Sequence, residues 1–244
     1  MLKHLFFDLD NTLTPSRRPL KPEHAPLFAR LCAARDVIVV TGGTSEHIEQ
    51  QLGPSLGNYF ILAQSGNHAV DKSGAELWRE QLSERQVSVS IELIEKIERA
   101  FALAVRDESD LVDNRGAQIG YSVVGYHEDP KIKDAFDPDF SKRKAMLERF
   151  LDELRTLRNI GIEVFPAGSS GYNFTLIGKD KGVNVARLIE REDWIKEECI
   201  YVGDALGPGE NDHSVVGVIE TLAVKGPDDT FAWVADFLTT QESM

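Results

Sequence analysis

Two aspartates, Asp8 and Asp10, follow the apolar run Leu5-Phe6-Phe7, and Thr12 continues the same two-residue spacing. Such a run reads as a buried strand ending in a polar loop, and carboxylates at i and i+2 of an extended segment project the same way. The pair suits phosphoryl transfer. One carboxylate can attack phosphorus in line and carry a covalent aspartyl-phosphate, while its neighbour serves as acid and base for the oxygens that leave and arrive. A solvated loop with Thr12 capping a helix is the plainer reading. The strand end argues against it, because ligands of open α/β sheets bind beyond the carboxyl ends of the strands.

Two carboxylates facing a phosphate repel it, so the scheme needs a cation in the cleft. Asp204, behind Gly203 at the end of another apolar run, and Asn211 with Asp212, returned by the turn Gly207-Pro208-Gly209, offer oxygen ligands of the kind Mg²⁺ takes. Helix capping is the alternative for Asp212. In Thr41-Gly42-Gly43-Thr44 a hydroxyl and free backbone N–H groups can bind phosphate oxygens at a helix start, unless the segment is an ordinary glycine turn. Lys181 could neutralise the phosphate and hold Asp8, with Lys179 as its rival. The six histidines show no ligand spacing and read as surface or packing residues; Trp78, Trp194 and Trp233 read as core anchors.

The elements that must position these residues follow from periodicity. Pro22 opens a helix burying Leu27 and Leu31; residues 37–40 form a second strand; Ser45 caps a helix carrying Ile48 and Leu52; residues 60–63 form a third strand. That rhythm predicts an open parallel sheet with right-handed crossovers. From Gln81 it breaks. A long helix (Ile91, Ile94, Ile97, Phe101, Ala104) precedes a strand at 118–124 and a loop through Pro130 and Pro138. A helix with Leu147, Phe150, Leu151 and Leu154 on one face follows, then strands at 162–165 and 172–177. The first rhythm then returns: a helix with Val185, Leu188 and Ile189, strands at 199–202 and 215–219, and a last helix with Phe231, Val234, Ala235 and Leu238. The expected fold is α/β, a Rossmann-like parallel-sheet core from residues 1–80 and 179–244 with an α+β cap inserted at 81–178.

Composition narrows the partners. The 244 residues are 42% hydrophobic and 27% charged, with a formal net charge of −13. That field repels nucleic acid and anionic membrane surfaces, yet a local cation can reverse it inside one cleft, so a small phosphorylated metabolite stays admissible. Cys32 and Cys199 lie far apart in apolar surroundings, and neither a leader nor a bilayer-length apolar stretch is evident, which makes the cytoplasm the expected location. Oligomeric state is open.

Taken together, Asp8-x-Asp10-x-Thr12, a strand ending in Thr41, Lys181, and Gly203-Asp204 with Asn211-Asp212 resemble the haloacid dehalogenase superfamily of phosphotransferases. The place of the insert resembles the subclass whose α+β cap follows the third strand. Within it, the runs Asp10-Asn11-Thr12-Leu13-Thr14-Pro15, Asn114-Arg115-Gly116-Ala117-Gln118 and Gly203-Asp204-Ala205 through Gly209-Glu210-Asn211-Asp212 are similar to phosphomannomutases and their bacterial phosphatase-like relatives. The resemblance implies Asp8 as nucleophile, Asp10 as acid/base, and Thr41 and Lys181 as phosphate contacts. It also implies Mg²⁺ held by Asp8, Asp204, Asp212 and Asp10, the last through its backbone carbonyl. Thr12, Gly42, Gly43, Thr44 and Asn211 would line the substrate, joined from the cap by Arg115 and Asn173. Asn11 stands where glycine is usual; Gly171 and Asn173 replace an expected Ser and Asp, and Tyr126 stands near an expected second Arg. The leading expectation is therefore a Mg²⁺-dependent phosphatase of small phosphorylated metabolites, sugar phosphates foremost, with phosphomannomutase as the alternative. A receiver-type signalling domain would be about half this size and carry no insert.

Overall fold

A computed structural model describes residues 1–53, 58–101 and 105–242. The chain divides into two compact units, one of Met1–Arg79 with Lys179–Met244 and one of Glu80–Gly178.

In the first unit the chain runs β1 (His4–Asp8), α1 (Ala25–Ala34), β2 (Asp36–Val40), α2 (Ser45–Leu52), β3 (Phe60–Ala63), β4 (His68–Val70) and β5 (Glu76–Arg79). The second unit holds α3 (Glu84–Phe101), β6 (Val112–Asn114), β7 (Gln118–Ser122), α4 (Pro130–Phe136), α5 (Ser141–Leu147), α6 (Leu151–Asn159), β8 (Ile162–Ala167) and β9 (Gly171–Leu176). The first unit then resumes with α7 (Lys181–Arg191), β10 (Cys199–Gly203), β11 (Glu220–Ala223) and α8 (Pro227–Glu242).

One seven-stranded sheet, in the order β11-β10-β1-β2-β3-β4-β5, carries the first unit; its first five strands are parallel and β4 and β5 antiparallel. The apolar runs are continuous because both faces are covered. Leu5 and Phe7 of β1 join the layer containing Phe28, Ile48 and Phe231, while Phe6 joins the opposite layer with Val185, Leu188 and Tyr201. Each such side chain contributes about 1.5–3 kcal/mol. Register then sets the site: Phe7 pairs with Val202 and Asp8 with Val40, so β10, β1 and β2 end together and place Asp8, Thr41 and Asp204 along one edge.

The second unit has its own four-stranded antiparallel sheet, β6-β7-β9-β8, and its own core of Leu93, Ile97, Ile119, Tyr121, Phe174 and neighbours. Ile119 and Tyr121 of β7 with Tyr172 and Phe174 of β9 face that core, which leaves Gly120 and its partner Asn173 on the other face. No helix among the described residues is long and apolar enough to cross a membrane.

The α/β architecture with a parallel-sheet core is as expected, but several elements differ. Pro26 rather than Pro22 occupies the first turn of α1, and Thr44 rather than Ser45 is the N-cap of α2. The expected strand at 215–219 is a 3-10 turn (His213–Val215) leading through Gly217, at φ 88°, to an edge strand one step later, at Glu220–Ala223. The antiparallel pair β4–β5 was not foreseen. The expected loop through Pro130 contains α4, started by Asp129, whose side chain accepts from Lys131 N with Pro130 in the first turn. Residues 147–154 are not one helix: a 3-10 turn (Glu148–Phe150) separates α5 from α6 and leaves Leu151 54% exposed. Ala104, expected in the long helix, lies outside the described residues.

Candidate active site

Asp8 ends β1 and is 4% exposed. The segment behind it is a tight turn rather than the extended one expected: Leu9 O accepts from both Leu13 N and Thr14 N at 3.0 Å, and Asn11 N donates to Thr14 O at 2.7 Å. Asn11 sits at φ 59°, the left-handed region that Asn tolerates and where Gly is the usual alternative. The two carboxylates therefore take different partners. The Asp10 carboxylate accepts from Arg17 N at 2.6 Å, whereas one carboxylate oxygen from each of Asp8, Asp204 and Asp212 lies within 4.8 Å of the others. Thr12, fully buried, donates from Oγ1 to Asp204 Oδ1 at 3.3 Å.

Lys181 is 1% exposed and donates to Asp8 Oδ1 and to Asp212 Oδ1, each at 2.6 Å. Between Lys181 and Lys179 the geometry therefore selects Lys181. It is delivered by α7, whose N-cap Asp180 accepts from Val183 N at 2.9 Å. Gly182 lets that first turn close on the loop behind Asp212, since a Cβ there would stand 2.0 Å from Ser214 O. Asp212 itself is returned by the bond from its N to Ala205 O at 2.9 Å and is fully buried, while Asn211 is exposed.

The charges follow from this crowding. Burial pushes the Asp8 carboxyl up to about 7, with Lys181 opposing and Asp212 adding to the rise. For Lys181 burial works against the charge, but Asp8 and Asp212 outweigh it and hold the ammonium protonated. Burial and the neighbouring Asp212 raise Asp204 as well. Asp212 Oδ2 is a buried carboxylate oxygen with no hydrogen-bond partner. A hard divalent cation among three oxygen donors would satisfy that atom, so the residues fit Mg²⁺.

Along the same edge, Thr41 is 2% exposed and its Oγ1 accepts from Gly43 N at 3.0 Å, while Thr44 N donates to His47 Nδ1 at 3.2 Å. The backbone donors of Gly43 and Thr44, expected to be free, thus bond within the loop; the Thr41 hydroxyl keeps its own proton to give. Ser45 opens α2, and its Oγ lies 3.0 Å from His68 Nδ1, whose Nε2 lies 2.8 Å from Arg79 Nη2. A guanidinium only donates, so Nε2 accepts and Nδ1 carries the proton toward Ser45. Sequence reasoning missed this histidine, together with Tyr201, whose hydroxyl donates to Asp212 Oδ1 at 2.8 Å. It also missed Asn67 and Asn184. Both are fully buried and donate to Lys179 O, at 2.9 and 3.3 Å, and so secure the entry to α7.

In the second unit Arg115 follows β6, and its Nε donates to Asp113 Oδ2 at 2.7 Å. A Cβ on Gly120 would stand 2.0 Å from Tyr126 Oη and 3.1 Å from Arg115 Nη2. Arg115 and Tyr126 therefore lie over Gly120 on the sheet face that also bears Asn173, which pairs with Gly120.

A parallel sheet whose central strand ends in a buried Asp, tied by a buried Lys to a second Asp and grouped with a third, defines an enzyme of the phosphotransferase class. Residues 5–220 match the haloacid dehalogenase-like hydrolases, and the chain belongs to that family. Among curated relatives, phosphomannomutase 2 of Dictyostelium discoideum is 24% identical, covering 95% of this chain and 94% of its own. The phosphomannomutase of Spinacia oleracea is 25% identical, with 97% and 96% covered. Among solved structures, a haloacid dehalogenase-like hydrolase from Bacteroides thetaiotaomicron superposes with a TM-score of 0.65 at 16% identity, covering 97% of this chain and all of that one. Plasmodium falciparum IMP-nucleotidase gives 0.69 at 16% identity, covering 97% of this chain and 68% of that one. These two likenesses speak to the fold.

Proposed function

We propose that the protein is a Mg²⁺-dependent phosphatase of a small phosphorylated metabolite, a sugar phosphate foremost, working through an aspartyl-phosphate on Asp8. The observation that carries this reading is the buried Lys181 joining Asp8 to Asp212 while Asp212 Oδ2 stays unpartnered. Asp8, Asp204 and Asp212, with the Asp10 carbonyl, would hold the cation, which when bound offsets phosphoryl negative charge against the carboxylates. Lys181 adds a fixed positive charge, and the Thr41 hydroxyl donates to a phosphoryl oxygen.

An Asp8 oxygen attacks phosphorus as the P–O ester bond breaks; the electron pair goes to the leaving oxygen, which takes a proton from Asp10. The Asp10 carboxylate, steadied by Arg17 N, then takes a proton from the water that attacks the aspartyl-phosphate. Asp8 and inorganic phosphate are released. Gly42 and Asn211 are assigned to the substrate side of the core, while Thr12, Gly43 and Thr44, whose donors are spent within the fold, would shape it, and Arg115 and Asn173 of the inserted unit are assigned to substrate selection. The two buried free thiols support a reducing, cytoplasmic location.

The second reading, phosphomannomutase, is favoured by the curated relatives that carry that name across nearly their whole length. Against it stand the cap residues. Arg115 is already engaged by Asp113, Tyr126 takes the place of a second cation, and a side chain at position 171 would meet Tyr121 O at 2.6 Å, so Ser does not fit there. A mutase needs strong charge-assisted contacts for its second phosphate.

The test is a phosphate-release screen over sugar and other small phosphates beside a coupled mannose-1-phosphate to mannose-6-phosphate assay. Release should exceed interconversion, vanish with chelator, return with Mg²⁺, and be lost in Asp8→Asn. Interconversion outpacing release, stimulated by a hexose bisphosphate, would favour the mutase; full activity in excess chelator would sink the metal assignment.

A further inference from the structure

Tyr201 lies in β10 two residues before Gly203, with its side chain fully buried. A buried tyrosine hydroxyl must find a partner. Here it donates to Asp212 Oδ1 at 2.8 Å, and Lys181 Nζ stands 3.5 Å behind it. An ammonium only donates, so the hydroxyl proton has to point at Asp212. Lys181 Nζ also reaches the same Oδ1 directly at 2.6 Å.

Two donors thus converge on one carboxylate oxygen, and Oδ2 is left buried without a partner. The terminal torsion of an aspartate is broad and roughly two-fold, so an unlocked Asp212 could rotate away from this setting at small cost. Gly203 completes the arrangement. A Cβ there would stand 2.4 Å from Asp212 Oδ2 and 2.9 Å from Tyr201 Cε1, so glycine alone lets both groups approach.

We propose that Tyr201 is a positioning residue for the divalent-cation site: its hydroxyl locks Asp212 Oδ1 and thereby reserves Oδ2 for the cation. This rests on the reading of Asp8, Asp204 and Asp212 as that site. Partners that orient a metal ligand typically contribute 10–100-fold to metal affinity. Phenylalanine would keep the volume and apolar contacts of Tyr201 within its strand while leaving Lys181 as the sole donor to Oδ1.

The experiment is calorimetric titration of Mg²⁺ into substrate-free wild type, Tyr201→Phe and Tyr201→Met, with thermal unfolding in chelator as the control for folding. Both variants should keep the unfolding profile of the wild type in chelator and bind Mg²⁺ about ten-fold more weakly. In p-nitrophenyl phosphate hydrolysis by Tyr201→Phe, the Mg²⁺ activation constant should rise by a similar factor while kcat at saturating Mg²⁺ stays near wild type. A folded Tyr201→Phe protein with unchanged Mg²⁺ affinity would overturn the role of Tyr201 alone. Lost kcat at saturating Mg²⁺ with unchanged affinity would overturn it too, pointing to a packing role. A wild-type chain that binds no Mg²⁺ would overturn the cation reading and this proposal with it.

Discussion

At His68 both ring nitrogens are engaged inside the fold, and burial, reinforced by the Arg79 charge, keeps its pKa below 6.5 despite Glu76 and Glu46 nearby. Between that lowered value and 6.5 the unfolded chain binds more protons than the folded one. The stabilising neutral form is fully present above 6.5, and its contribution is lost as pH falls below. Comparing thermal unfolding of wild type and His68→Gln isolates this effect from the carboxylates: the wild type should lose ground to the variant between about pH 7.5 and pH 5.5. A constant difference would contradict it. The same residue scale shows what sequence could carry. Asp8 and Asp204 stand out in the sequence because each sits just behind an apolar run, whereas Asp212 is marked only by the glycine turn before it and Lys181 shares its segment with Lys179. Tyr201 does not stand out, because a tyrosine inside Cys-Ile-Tyr-Val reads as core, and only the tertiary fold supplies the carboxylate its hydroxyl meets.

Elements with continuous apolar runs, β-branched in β2 and mixed in β3, were readable along with their parallel pairing. The hairpin of β4 and β5 was not: three- and four-residue strands around the turn at Asp71–Gly74 leave too short a pattern, with a register shift near Val70. The edge strand β11 alternates too weakly to outweigh the β-branched residues just before it. The junction of α7 with the Asp212 loop gives the prediction at this scale. Gly182→Ala forces a Cβ against the backbone of Ser214, which has no flexible end to yield, so it should cost about 1–3 kcal/mol. It should also weaken Mg²⁺ binding by shifting Lys181. Denaturant unfolding and Mg²⁺ titration check it, and unchanged values in both would show that the helix start gives way freely.

Two separate cores make the whole molecule a poor candidate for a single transition. Arg143 offers a way to move one of them. Fully buried, it pairs with Asp137 at 2.8 Å and donates to Ala167 O, Gly168 O and Gly171 O, holding the β8–β9 turn to the start of α5. Arg143→Met removes the cation beside Asp137, which keeps only its bonds from Lys142 N and Arg143 N, and takes the guanidinium donor from three carbonyls, a loss of about 3 kcal/mol by the usual cost of breaking a buried pair. Calorimetry should show one transition lowered by this change, while the other, which added Mg²⁺ should raise, stays in place. A uniform fall of the whole profile would mean that the two cores melt together. Overall charge was readable from composition, whereas this clamp was not: Arg143 sits in the run Lys142-Arg143-Lys144, which reads as a solvated basic face.

The sheet order has a consequence for how the protein is made. β1 takes β2 on one side from the early chain, but on the other side it takes β10, some 190 residues downstream. At ribosomal speeds of about 5–20 residues per second, roughly 10–40 s pass with Asp8 synthesised and that flank of β1 bare. The inserted segment, contiguous in sequence and complete at Gly178, can fold during the wait. An emerging β1 is thus an open hydrophobic edge in a nascent chain, and Asp8 meets Lys181, 173 positions further on, only after the inserted segment has been made.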